Sequence, residues 1–162
     1  MTNIGENIVG HLEAFLLRAR AQTWAGGAEP TRITPRGEKQ YEYSEGSLVY
    51  RDTFLTGDDS FFGQETLYES EQPIWNILYA GQVHKAGVKG PGVKAVYAFL
   101  QRAVRATVTD NRLGREADYA EGEWAYTDRG EIHGNKFWGS EWVSFGGKEV
   151  YRLKYGGGWI IE

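Results

Sequence analysis

The chain has 162 residues, with 18 Lys and Arg against 22 Asp and Glu, a net charge of −4 and no cysteine. That length suits a single domain able to bury roughly 70% of the surface its unfolded chain would expose. Interspersed charges of both signs argue against a nucleic-acid partner, which needs clustered Lys and Arg; the missing cysteines exclude a disulfide framework, a thiolate metal site and a Cys nucleophile.

No run approaches the length of a membrane span, and the N-terminus lacks a basic region followed by an apolar stretch. The expectation is therefore no membrane partner and a cytoplasmic location.

From Asn3 to Thr23 apolar residues recur at Ile4, Ile8, Leu12, Phe15, Leu16 and Ala19, the period of a one-sided helix. Asn3 and Glu6 have the spacing of a capping pair, and Gly26-Gly27 follows the end. Residues 28–38, with Pro30 and Pro35, read as a loop. Short β-prone runs then alternate with turn residues over 39–45, 47–55, 61–69 and 74–83. A second helix, with Val93, Val96, Leu100, Ala103 and Val104 on one side, leaves Gly90-Pro91-Gly92. Four more strands are predicted over 115–121, 123–129, 137–145 and 149–155.

The chain thus contains its own pattern twice. Residues 41–84 overlie 117–160 at a constant offset of 76 with ten identical pairs, including Tyr50/Tyr126, Asp52/Asp128, Gly63/Gly139, Glu65/Glu141 and Tyr79/Tyr155. Composition alone would produce roughly three. AFLLRA at 14–19 and AFLQRA at 98–103 stand ahead of each copy at an offset of 84, so the second linker is eight residues shorter. The predicted architecture is α+β: a tandem duplication of an α-β4 unit, residues 3–84 and 92–161 of one domain spanning 1–162. Its curved antiparallel sheet, or pair of sheets, packs on two pseudo-symmetric helices.

Strand side chains alternate between faces, and within each strand the identical pairs keep one parity. That parity marks the inward face, joined by Leu48/Trp124, Trp75/Tyr151 and Ile77/Leu153. It also turns Glu45, Asp52, Glu65 and their mates Glu121, Asp128 and Glu141 toward the core or its rim, where an unpaired carboxylate costs several kcal/mol. Two readings follow. Turn amides and the retained tyrosine hydroxyls satisfy the acids structurally. Alternatively, Tyr50, Asp52, Glu65, Trp75, Tyr79, Tyr126, Asp128, Glu141 and Tyr155 line a wet pocket suited to a polar or cationic small molecule.

The runs FLxRA, LVYRDTFLTGDDSFFGQE and PIWNILYAGQV resemble an uncharacterised bacterial and archaeal domain family with the pattern Y-x-D-x-[YF]-x-G, F-x-G-x-E and P-[VI]-W-x-x-x-Y-x-G. The matching positions are Tyr50, Asp52, Phe54, Gly57, Phe61, Gly63, Glu65, Pro73, Trp75, Tyr79 and Gly81. Members of that family stand alone or behind an XRE-type helix-turn-helix, so the resemblance implies standalone or regulator-linked sensing. This chain begins at its first predicted helix, and a DNA-binding module is not expected in it.

His11, His84 and His133 have no metal-ligand spacing and no repeat mates, and no nucleophile-elbow motif is present. No metal or cofactor is expected. The run from Lys85 to Lys94 is glycine-rich and basic but fits neither phosphate-binding fingerprint, and reads as a solvated connection. The sequence therefore favours a small-molecule-binding or interaction module. An enzyme, a hydrolase or isomerase using an inward carboxylate, is the alternative, and a homodimer through an edge strand is a third reading. Because residues present in both copies are first suspected of building the fold, a site is expected where the copies differ: Asn76 against Arg152, Thr66 against Trp142, or the unequal linkers.

Overall fold

The computed structural model of the protein describes residues 4–84 and 91–160, with side chains from residue 9 onward. Among the described residues the elements are α1 (Ile4–Gln22), a 3-10 turn (Trp24–Gly26), β1 (Arg32–Ile33), β2 (Lys39–Glu45), β3 (Leu48–Thr56), β4 (Ser60–Glu69) and β5 (Gln72–Val83). After these come α2 (Gly92–Ala106), β6 (Ala117–Glu121), β7 (Trp124–His133), β8 (Lys136–Phe145) and β9 (Lys148–Trp159). The sequence-predicted strands all form, and β1 adds a two-residue strand within the stretch expected to be loop. Asn3, expected to cap the first helix, and most of the basic run, at 85–90, lie outside the described residues.

One antiparallel sheet holds every strand in the order β1-β2-β3-β4-β5-β9-β8-β7-β6. Each meander is built from chain-adjacent hairpins, and β5 and β9 join the two at the centre. In that central pair Tyr79 stands opposite Tyr155, its partner at the offset of 76. The two halves therefore meet at equivalent residues, and equivalent positions fall at equal distances on either side of the junction.

The helices and the inward residues share one core. Leu12, Phe15, Leu16 and Ala19 of α1 and Val96, Phe99, Leu100, Ala103 and Val104 of α2 are buried in the same cluster as Tyr50, Leu67, Trp75, Ile77, Tyr126, Val143, Tyr151 and Leu153. Alternation carries this along each strand: Tyr50 and Asp52 are buried, whereas Leu78 on the opposite face is exposed. Burying each large apolar side chain contributes about 1.5–3 kcal/mol. Aromatic contacts knit the helices to the sheet, Phe15 meeting Tyr43 at 5.9 Å and Phe99 stacking on Trp124 at 5.1 Å.

Two glycines let tyrosines cross the sheet. Tyr79 of β5 is paired with Gly63 of β4, and its ring runs over that residue toward β3. A Cβ on Gly63 would stand 2.5 Å from Tyr79 Oη and 2.6 Å from the Thr53 carbonyl oxygen. Gly139 holds the same relation to Tyr155. Gly63→Ala should therefore cost about 1–3 kcal/mol of stability by overpacking. Gly10→Ala, in the body of α1 with open space around it, should add about 0.5–1 kcal/mol through helix propensity. Urea unfolding of the two variants against wild type checks both signs.

Candidate binding site

The six inward acids fall into three pairs with three environments. At the rim, Glu45 accepts hydrogen bonds from Arg18 Nε and Nη2 at 3.0 and 2.9 Å and from Tyr43 Oη at 2.7 Å. Its mate Glu121 accepts from Arg102 at 3.0 and 3.1 Å and from Tyr119 at 3.1 Å. Arg18 and Arg102 are equivalent at the helix offset of 84. Bonds from Arg18 and then Tyr43 hold the Glu45 carboxyl down to about 2, an exposed pairing worth little to stability.

The two glutamates under the helices are buried and each takes a guanidinium, though from different elements. Glu65 accepts from Arg20 Nε of α1 at 2.8 Å, with Arg20 Nη1 donating to the Asn111 carbonyl at 3.1 Å. Glu141 is held by Arg112, from the segment joining α2 to β6, through Nε at 3.0 Å and Nη2 at 2.6 Å. Tyr126 and Tyr151 hydroxyls complete its shell at 2.7 and 2.9 Å. Burial alone would raise the Glu141 carboxyl, but the Arg112 charge and these four bonds hold it below the ordinary value.

The aspartates share one motif and then diverge. Tyr79 Oη donates to Asp52 Oδ1 at 2.5 Å, and Tyr155 Oη donates to Asp128 Oδ1 at 2.8 Å. In the second half two backbone amides close the pair: Arg112 N–H donates to Asp128 Oδ2 at 2.6 Å and Gly114 N–H to Tyr155 Oη at 3.2 Å. That linker lies flat on the sheet because small residues admit it, Gly114 Cα standing 2.5 Å from where a Gly130 side chain would begin. Gly114 itself has φ of 74° and no room for a Cβ, which would meet Phe137 and the Glu131 carbonyl.

The first half carries Tyr41 and Phe54 where the second has Ala117 and Gly130. Its longer linker contributes Trp24 and residues 27–30 to the walls of a cavity at Asp52 without donating to that carboxyl, and β1 pairs the chain back along β2. No described residue donates to Asp52 Oδ2 or adds a second bond to Tyr79 Oη. Asp52 and Tyr79 both line a cavity of about 480 Å³, within the size range of small-molecule sites. Trp24, Tyr41, Phe54, Phe61 and Tyr97 form aromatic walls, with Glu29, Lys39, Gln101 and Arg112 among the polar lining. Exposed Gly27, Ala28, Glu29, Thr56 and Gly57 border its opening. Lys39 Nζ donates to Thr56 Oγ1 at 3.2 Å, Gln101 to the Trp24 carbonyl at 3.0 Å and Tyr41 to the Ala28 carbonyl at 3.1 Å, which fixes the walls.

Burial first, and the nearby Glu65 charge second, push the Asp52 carboxyl up to about 7, against the Tyr79 hydrogen bond and the Arg112 and Arg20 charges. Burial and Glu141 raise Asp128 to about 6, opposed by the Arg112 amide and Tyr155.

Of the nine sequence-predicted site residues, Asp52 and Tyr79 line the large cavity. Tyr50, Asp52 and Glu65 border a separate void of about 20 Å³ beside Arg20 and Arg112. Asp128, Glu141, Tyr126 and Tyr155 form the closed hydrogen-bonded cluster of the second half. Trp75 is wholly buried beneath Arg20, stacked on Phe137. Sequence reasoning missed Arg20, Arg112 and most of the aromatic wall. Arg20 was within reach, since it continues the buried stripe of Leu16 and Ala19, whereas Arg112 sits in a linker with no period to read. Asn76 donates to Thr66 at 2.9 Å and Arg152 lies over Trp142, so those two differences between the halves belong to the outer face. His84 and His133 bond to Glu149 and Glu131, and His11 is exposed on α1.

Residues 52–160 match the family described as Domain of unknown function (DUF5680). The chain belongs to that family. The matched span includes both aspartate–tyrosine pairs and Arg112. No curated protein and no solved structure gives a significant match.

Both aspartates have folded values above the unfolded one, so between about pH 4 and pH 7 the folded chain holds more protons and their contribution to stability falls as pH rises through that window. Asp52→Asn keeps an acceptor for Tyr79 and should melt at or above wild type at pH 8, losing that advantage at pH 5. Asp128 uses both oxygens as acceptors, and an amide offers one, so at equal pH Asp128→Asn should be less stable than Asp52→Asn by about 1–3 kcal/mol. Thermal melts across pH compare the two. Arg112→Met strands a buried carboxylate and should cost about 3–5 kcal/mol in chemical denaturation, much of it recovered by the double variant with Glu141→Leu.

Proposed function

We propose that the protein is a small-molecule-binding module whose site is the cavity over Asp52 and Tyr79. The observation that carries this reading is the difference between the halves: the same aspartate–tyrosine pair is closed by backbone in one and opens onto aromatic walls in the other. The reading extends to origin. A tandem copy of an α-β4 unit accounts for the ten identities at one offset and for Tyr79 facing Tyr155. On this account the second copy stabilises the sheet and the first binds.

The enzyme reading retains one specific support. Asp52 sits in an accessible cavity with its carboxyl up to about 7, suited to exchanging a proton near neutral pH. The other three inner acids are held by guanidinium or amide donors, so chemistry here would be proton transfer by a single carboxyl. A homodimer through a sheet edge would use β6, since β1 ends the opposite edge with two residues.

A fragment screen followed by amide chemical-shift mapping tests the binding reading. Hits should perturb residues around Asp52, Phe61, Tyr79 and Tyr97 and leave Asp128 and Gly139 still. Hits that map only to the outer face of the sheet, or a diverse library with none, would sink it.

A further inference from the structure

The geometry points to a ligand class: a planar cation carrying N–H groups on adjacent nitrogens, a guanidinium or amidinium, bound through Asp52 Oδ2 and Tyr79 Oη. This rests on the cavity being the binding site and names what the cavity takes. The closed half of the molecule supplies the template. There, the two acceptor positions beside the Tyr155–Asp128 bond are filled by two N–H donors, Arg112 N at 2.6 Å and Gly114 N at 3.2 Å. The first half has the same Tyr–Asp bond, no described residue donates to the two equivalent acceptors, and both residues line an open cavity. An occupant that satisfies them must therefore donate twice, side by side.

Charge and shape narrow the donor. The Arg112 guanidinium is matched by Glu141 and the Arg20 guanidinium by Glu65, at 2.6 and 2.8 Å. Lys39 and Glu29 face the cavity with opposite sign. Asp52 and Glu29 both lack a cationic hydrogen-bond partner among the described residues, but Glu29 is exposed to water and Asp52 is buried, so once ionised it is Asp52 that a bound cation would compensate. Planarity is favoured by the walls, where Tyr41 and Phe54 stack at 5.7 Å and Phe61 and Tyr97 lie 6.1 Å apart. Flat cations stack on such faces while their edges donate to a carboxylate, a geometry a spherical ammonium does not use fully.

The groups bearing on Asp52 are Glu65 from β4, Tyr79 from β5, Tyr41 from β2, Tyr50 from its own strand β3, Arg20 from α1 and Arg112 from the second linker. A cation that needs the carboxylate competes with its proton, so affinity rises with pH up to the neutral range and falls below it.

Calorimetric titration of the full chain with methylguanidine and benzamidine, with tetramethylammonium, methylamine and urea as comparisons, tests the assignment at pH 8 and pH 5. The expected result is binding of the guanidine or amidine at pH 8, weaker by about 100-fold at pH 5, following the tenfold-per-unit linkage. Asp52→Asn should weaken it at least about tenfold and Tyr79→Phe by a smaller factor, with circular dichroism confirming that both variants fold. Tetramethylammonium binding as tightly as the guanidines would overturn the N–H assignment and leave the cavity reading standing. Urea binding equally well would overturn the need for charge. If no guanidine or amidine binds while screened fragments still map to the cavity, the ligand class is wrong and the site is right. If neither binds, both fail.

Discussion

Everything on the inner face of this sheet is arranged around one constraint: a carboxylate taken out of water must be given hydrogen bonds or a counter-charge, or it will cost more than the packing around it returns. Four acids lie under the helices here, and the connections are built to reach them. Arg20 comes down from α1 to Glu65, and Arg112 comes in from the second linker to Glu141. Tyr79 and Tyr155 cross a neighbouring strand over glycine to reach the aspartates. Removing Gly63 or Gly139 would close those paths. The glycines are therefore part of the electrostatics of the core, through the space they leave.

The two halves answer that constraint with different linkers. Residues 107–116 run directly from α2 to β6 and lay two amides on Asp128 and Tyr155, which is possible because Ala117 and Gly130 leave room. Residues 23–38 are longer, and the rings of Tyr41 and Phe54 occupy the equivalent positions. A chain segment cannot occupy the place of those rings. Side-chain size on the sheet and linker length thus reinforce each other, one pair giving a closed cluster and the other an aromatic-walled cavity of about 480 Å³.

The strands and their faces were legible because period-2 alternation is local, and because the two halves of the sequence keep the same parity at their identical positions. Phe15, Leu16, Leu100 and Ala103 could be placed against the sheet for a similar reason, since a helix stripe and a strand face must meet somewhere. What the sequence concealed was pairing across long separations. Arg20 meets Glu65 and Arg112 meets Glu141 with no shared period, and Trp24, Tyr97 and Gln101 reach the cavity from a turn and a helix that touch each other far apart in sequence. Asp52 and Tyr79 were within reach because they are repeated. Their distinction from Asp128 and Tyr155 was not, because it resides in the linker above them rather than in the residues themselves.

That distinction bears on how the two halves depend on each other. A buried carboxyl raised to about 7 is a poor contributor to stability, and a cost of this kind persists only where the surrounding structure compensates. The closed cluster lies across the same central strand pair, with Arg112 touching both: it bonds Glu141 on one side and stands over the Tyr79 ring at 6.0 Å on the other. The second half thereby sets a guanidinium over the tyrosine that lines the open cavity. The closed cluster and the open cavity are thus linked through one residue, Arg112.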